Sequence, residues 1–111
     1  MSQVIDLDRA LTDTRHPDPR TRIRALHELC PCQLKADYPD IWDRVLEMVT
    51  DEDAKVRSHV LHVLGDGSPR AREAEVVQAV ERMRNDPDPG LRRRVRKLLG
   101  HYHRTGKINV L

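Results

Sequence analysis

The chain reads as an all-α protein built from stacked helical hairpins, about six helices in three repeats. Three observations predict this. Shifted by 35 residues, the sequence overlays itself without a gap. Within each copy the apolar residues recur at helical spacing. The residues able to form a core are aliphatic, with no Phe, one Trp and two Tyr, while 34% of the chain is charged. That stock suits apolar stripes on helices and is too charged for a wide sheet buried on both faces.

The self-match is dense. "HPDPRTRIRALHELC" (16–30), "DEDAKVRSHVLHVLG" (51–65) and "DPDPGLRRRVRKLLG" (86–100) fall into register. Asp18, Asp53 and Asp88 form one column, Arg22, Arg57 and Arg92 a second, Ala25, Val60 and Val95 a third, and Leu29, Leu64 and Leu99 a fourth. The segments between follow at the same shift: Ile41 meets Val76, Trp42 meets Val77, Val45 meets Val80 and Met48 meets Met83. One shift further back, Leu7, Ala10 and Leu11 match Trp42, Val45 and Leu46.

Taken in order, helices are predicted over about 3–13, 19–30, 38–49, 54–65, 70–84 and 89–103. The first rests on Leu7, Ala10 and Leu11. The second starts behind Asp18, a suitable N-cap, with Pro19 in the first turn, where its missing N–H costs nothing. The third carries the stripe Ile41, Trp42, Val45, Met48 and Val49. In the fourth, Val56, Val60, Val63 and Leu64 occupy one face. The fifth takes its register from the third. The sixth repeats the Asp-Pro start at Asp88 and Pro89. Gly65 and Gly100 stand where a helix stop favours a left-handed residue. Paired, the helices make hairpins over 3–30, 38–65 and 73–100 within a single domain of residues 1–111. Each hairpin is too thin to bury its own apolar face, so its neighbours must do it. After Thr105-Gly106 breaks the last helix, residues 101–111 form a cap or tail. Ile108, Val110 and Leu111 are expected to fold back over helix 89–103.

The turn before each second helix reads Asp86-Pro87-Asp88-Pro89-Gly90-Leu91-Arg92, Asp51-Glu52-Asp53-Ala54-Lys55-Val56-Arg57 and, more loosely, His16-Pro17-Asp18-Pro19-Arg20-Thr21-Arg22. Over about residues 3–100 this resembles the HEAT-repeat family, in particular its short bacterial type. The resemblance implies a right-handed α–α superhelix, a solenoid whose second helices line a concave surface. It also implies an inter-repeat polar ladder of the turn aspartate and the arginine six residues on, which assigns Asp51/Arg57 and Asp86/Arg92 to structure. His16 stands where the family has Asp, so the first turn is expected to lack one interaction. For function the resemblance is broad, because one architecture carries many roles.

Charge supplies the next clue. The net charge is +2, which by itself argues against a dedicated polyanion binder. Its distribution is uneven: residues 85–111 hold seven basic and two acidic residues, whereas residues 1–84 hold thirteen and sixteen. With the buried positions set aside, the second helices keep outward rows of Arg24, His59 and Arg94, of His27, His62 and Lys97, and of Arg20, Lys55 and Gly90, extending to His101 and Arg104. Rows of Arg, Lys and His along a groove form a docking surface for a protein partner with an acidic segment. The plain alternative is that these charges only solvate an exposed face. The partner-binding candidates are therefore Arg20, Arg24, His27, Lys55, His59, His62, Arg94, Lys97 and His101.

Other functions are weighed against this one. A nucleic-acid accessory would use the C-terminal cluster of Arg93, Arg94, Arg96 and Lys97; near-neutral charge and scarce aromatics for base stacking argue against it. A metal- or redox-dependent protein would use Cys30-Pro31-Cys32, where the first repeat departs from its later copies, with His59 and His62 at i, i+3 as further ligand candidates. Two thiolates alone do not complete a tetrahedron, so a partner chain would have to help; chance surface histidines explain the rest, and no cofactor or metal is expected. His27-Glu28 invites comparison with deoxyhypusine hydroxylase, but its repeat equivalents, His62-Val63 and Lys97-Leu98, break the pattern that enzyme needs. No nucleophile elbow, phosphate loop or carboxylate pair appears, so no catalysis is expected. No apolar run approaches the roughly 20 residues of a membrane helix. The acidic start lacks a signal-peptide layout, and two cysteines are not a disulfide framework, so a cytoplasmic home is expected.

Overall fold

A computed structural model describes residues 6–30 and 38–108. Its elements are α1 (Leu7–Asp13), α2 (Pro19–Leu29), α3 (Pro39–Glu47), α4 (Ala54–Gly67), α5 (Glu73–Arg82) and α6 (Pro89–Thr105), with 3-10 turns at Met48–Thr50 and Arg70–Arg72. No strand occurs among the described residues. Residues 3–5 of the predicted first helix, and Cys32, Val110 and Leu111, lie outside them.

The helix starts follow the cap chemistry in the sequence. Asp18 accepts the Arg20 N–H at 2.9 Å, Asp53 accepts those of Lys55 and Val56, and Asp88 accepts that of Leu91 at 2.8 Å. Each satisfies amides that the first turn of a helix leaves without partners.

The helix ends differ from expectation. Gly65 does not stop α4, which runs on to Gly67, and Gly100 lies inside α6. The stop of α6 comes at the expected Thr105-Gly106 break, and Gly106 is the one left-handed residue among those described, with φ of 74°. A glycine inside a helix costs only about 1 kcal/mol relative to alanine. By continuing, each helix keeps its backbone hydrogen bonds, which offsets that small cost. The predicted ends at 49 and the start at 70 are in 3-10 turns instead.

The hairpins α1–α2, α3–α4 and α5–α6 stack in order, with α4 packed on both α2 and α6, and α5 packed on α3. The repeat columns become layers of the core. Leu29, Leu64 and Leu99 are all buried, as are Ala25, Val60 and Val95, in one continuous cluster. Ile108, fully buried, joins the core; the other two residues expected to fold back, Val110 and Leu111, lie outside the described residues. The columns that face neighbouring repeats lose their apolar character at the two ends of the stack. Val56/Leu91 and Val63/Leu98 are buried, but their first-repeat equivalents are the partly exposed Thr21 and Glu28. Leu26 and Leu61 are buried, but their third-repeat equivalent is the exposed Arg96.

Candidate functional site

Two sets of polar residues emerge between the repeats, one structural and one on the surface. The structural set is the expected ladder, with its partners resolved. Arg22 donates from Nε and Nη2 to the two carboxylate oxygens of Asp51, both at 3.0 Å, and Arg57 does the same to Asp86 at 2.7 and 3.0 Å. The carboxylate an arginine holds therefore belongs to the next repeat, not to its own turn. Within its own repeat each arginine instead donates through Nη1 to a backbone carbonyl six residues back: Arg22 to His16, Arg57 to Asp51 and Arg92 to Asp86, each at 2.8 Å.

This pairing explains the departure at position 16. Asp51 and Asp86 also accept the N–H of Asp53 and Asp88, at 3.0 and 2.9 Å, tightening the turn. His16 Nδ1 accepts the Asp18 N–H at 3.0 Å in the same way. The first turn thus keeps its local interaction. What it lacks is only the carboxylate that a preceding arginine would need. At the other end Arg92 meets no carboxylate among the described residues.

The Asp86 carboxyl responds to this setting. Burial pushes it up, but the Arg57 hydrogen bonds, the Asp88 N–H and the charges of Arg57 and Arg92 outweigh burial and hold it below the ordinary 3.8. The same hydrogen bond from Arg57 to Asp86 raises the arginine further. On the first-helix side, Arg44 donates to the Thr14 hydroxyl and carbonyl, both at 3.0 Å. There burial lowers its pKa.

The surface set is the array of outward rows. Arg20, Arg24, His27, Lys55, His59, His62, Arg94 and Lys97 are all exposed, and Gly90 and His101 partly so. Helices α2, α4 and α6 pack side by side, which brings the rows together along one face. Arg94 crosses to α4 and donates to the Ser58 hydroxyl, and His59 Nδ1 lies 2.9 Å from the Lys55 carbonyl. Between α4 and the start of α6 runs an open groove of about 420 Å³, lined by Ser58, Gly90, Leu91, Arg93, Arg94 and Lys97, with the capping Asp88 at its edge. Its charge is basic, with Arg96 and Arg104 exposed further along the helix.

Of the cysteine and histidine candidates, Cys30 is the buried C-cap of α2, and its thiol donates to Asp66 Oδ2 at 3.2 Å. His62 stands beside this pair, whereas His59 does not belong to it. Sequence reasoning missed Asp66. The signal was its position four residues after His62, which matters only if α4 continues past Gly65. No helix among the described residues is long and apolar enough to cross a membrane.

A family model for HEAT repeats matches residues 8–100. Comparison with curated proteins and with solved structures produced no match.

Proposed function

The chain belongs to the HEAT-repeat family, and we propose that it works as a docking module for a protein partner with an acidic segment, held along the exposed rows of α2, α4 and α6. HEAT repeats are in general protein-interaction scaffolds, and the family is typically non-enzymatic. The observation that carries the finer reading is the alignment of Arg24, His27, Lys55, His62, Arg94 and Lys97 on one face, ending in the basic groove between α4 and α6. The three stacked helices hold these side chains on a rigid frame, so an extended acidic chain meets them without ordering the scaffold first. Arg93, Arg94 and Lys97 supply most of the attraction. We place the module in the cytoplasm.

Fluorescence anisotropy with a labelled, mixed Asp/Glu peptide tests this, with a duplex oligonucleotide of equal charge as the second probe. The expected result is saturable peptide binding that weakens with salt and is lost in Arg93→Glu/Arg94→Glu/Lys97→Glu, while the fold persists by circular dichroism. Unchanged peptide binding in that variant would overturn the reading. So would tighter binding of the duplex, with a salt slope near −0.9 per phosphate neutralised, which would assign the cluster to nucleic acid.

A further inference from the structure

Cys30, His62 and Asp66 bring a sulfur, a nitrogen and an oxygen donor within 4.8 Å of one another. They belong to two repeats. Cys30 ends α2 of the first hairpin, buried to 2% exposure, while His62 and Asp66 stand four residues apart on α4 of the second, side by side on one strip of the helix. We propose that this cluster binds one Zn²⁺-like divalent ion at the junction of the first and second repeats.

The donor set selects the ion. A thiolate with an imidazole suits a borderline-soft metal and is poor for Mg²⁺ or Ca²⁺, which take oxygen ligands. Bonds of about 2.3 Å to sulfur and 2.0–2.2 Å to nitrogen and oxygen put tetrahedral ligands roughly 3.3–3.7 Å apart. The Cys30–Asp66 separation of 3.2 Å is already close to that edge. His62 is exposed, so its ring swings inward without disturbing the core. Cys30 is held by the packing around it and fixes the position of the sulfur.

The cluster is confined to one junction. At the same shift along the chain, the next junction has Gly65, Lys97 and His101, with neither thiol nor carboxylate. The leucine and arginine columns recur because every junction needs them to pack. These three residues do not recur, so stacking alone does not call for them. A thiol–carboxylate hydrogen bond accounts for Cys30 and Asp66 as a pair, but not for the imidazole one turn away. On binding, the Cys30 thiol loses its proton to solvent, and its thiolate and the Asp66 carboxylate balance the two charges of the ion. The fourth coordination position is left to water. The inference shares His62 with the docking reading but does not depend on it, since the docking test reads Arg93, Arg94 and Lys97 of the basic groove, which lie outside this cluster.

Cobalt(II) is the direct probe, added to the full chain without a polyhistidine tag after chelator treatment under reduction. One Co²⁺ per chain should bind, with a near-ultraviolet thiolate charge-transfer band and visible bands of tetrahedral strength, and Zn²⁺ should displace it. Cys30→Ser should abolish the charge-transfer band. His62→Ala and Asp66→Asn should each weaken binding by about tenfold or more, since loss of even an outer-shell partner typically costs that much. His62 is exposed, so that variant keeps the fold and the test survives if Cys30→Ser destabilises the protein. Cys32→Ser and His59→Ala should retain binding. Absence of the band at large metal excess, full affinity in His62→Ala, or a band lost in Cys32→Ser but kept in Cys30→Ser would each overturn the proposal.

Discussion

Arg22 and Arg57 each face two ways, holding a carbonyl of their own turn and both carboxylate oxygens of the next repeat. Exposure decides what such a pair contributes. The Arg57 and Asp86 side chains are 12% and 4% exposed, against 53% and 27% for the helical pair of Arg9 and Asp13. Removing one member of a buried pair strands the other's charge, so Arg57→Ala should cost about 3–5 kcal/mol. Arg9→Ala should cost roughly 0.5 kcal/mol or less. Urea denaturation of the two variants measures the contrast. The pH dependence has a definite sign. Because folding holds the Asp86 carboxyl below its unfolded value of 3.8, its contribution is complete above that pH and drains away as pH falls through the lower, folded value. Stability of the wild type should therefore drop more steeply below about pH 3.8 than that of Asp86→Asn, read from denaturation midpoints across the acid range. The arginine and aspartate columns were legible in the repeat. Which aspartate meets which arginine was not, because the partners stand 29 residues apart and only stacking brings them together.

At the scale of the helix, the aspartate-capped starts of α2, α4 and α6 were legible, and the stops assigned to Gly65 and Gly100 were not borne out. An N-cap is a local contract between one side chain and amides two or three residues on, so Asp18, Asp53 and Asp88 could be identified from type and spacing. A glycine is ambiguous, since it ends one helix and rides inside another at small cost. Gly100 and Gly106 separate the two cases. A Cβ at Gly100 would lie 3.4 Å from Nη1 of Arg104, the movable tip of a flexible side chain. Gly100→Ala should therefore stabilise the protein by about 0.5–1 kcal/mol. Gly106→Ala should destabilise by about 1–2 kcal/mol, because its φ of 74° is hostile to a side chain. Thermal melts should move in opposite directions, by about 4–8 °C per kcal/mol for a domain near this size. The misplaced stop at Gly65 also hid Asp66. Once α4 runs to Gly67, Asp66 falls on the strip of His62 and faces Cys30.

At the scale of the molecule, stability is carried by neighbour-to-neighbour burial, with polar residues closing the stack. Leu64 is fully buried on α4, the helix that packs on both α2 and α6. Leu64→Ala should cost about 2–5 kcal/mol. Ending the chain after Gly106 removes the fully buried Ile108 and should lower the melting temperature, whereas a tail serving only a partner would leave it unchanged. Thr21 and Glu28 in the first repeat and Arg96 in the third put polar side chains in columns that are apolar elsewhere. The amino-acid sequence by itself determined the repeat length, the six helices, the capped starts of α2, α4 and α6, and the buried stripes. Those properties depend on residue type and on spacings within a few turns. Only the tertiary structure decided which carboxylate Arg22 and Arg57 hold, that α4 runs on past Gly65, and that Cys30 meets Asp66 across 36 residues. Contacts at such separations exist only after one repeat has packed on the next, and no local preference specifies them.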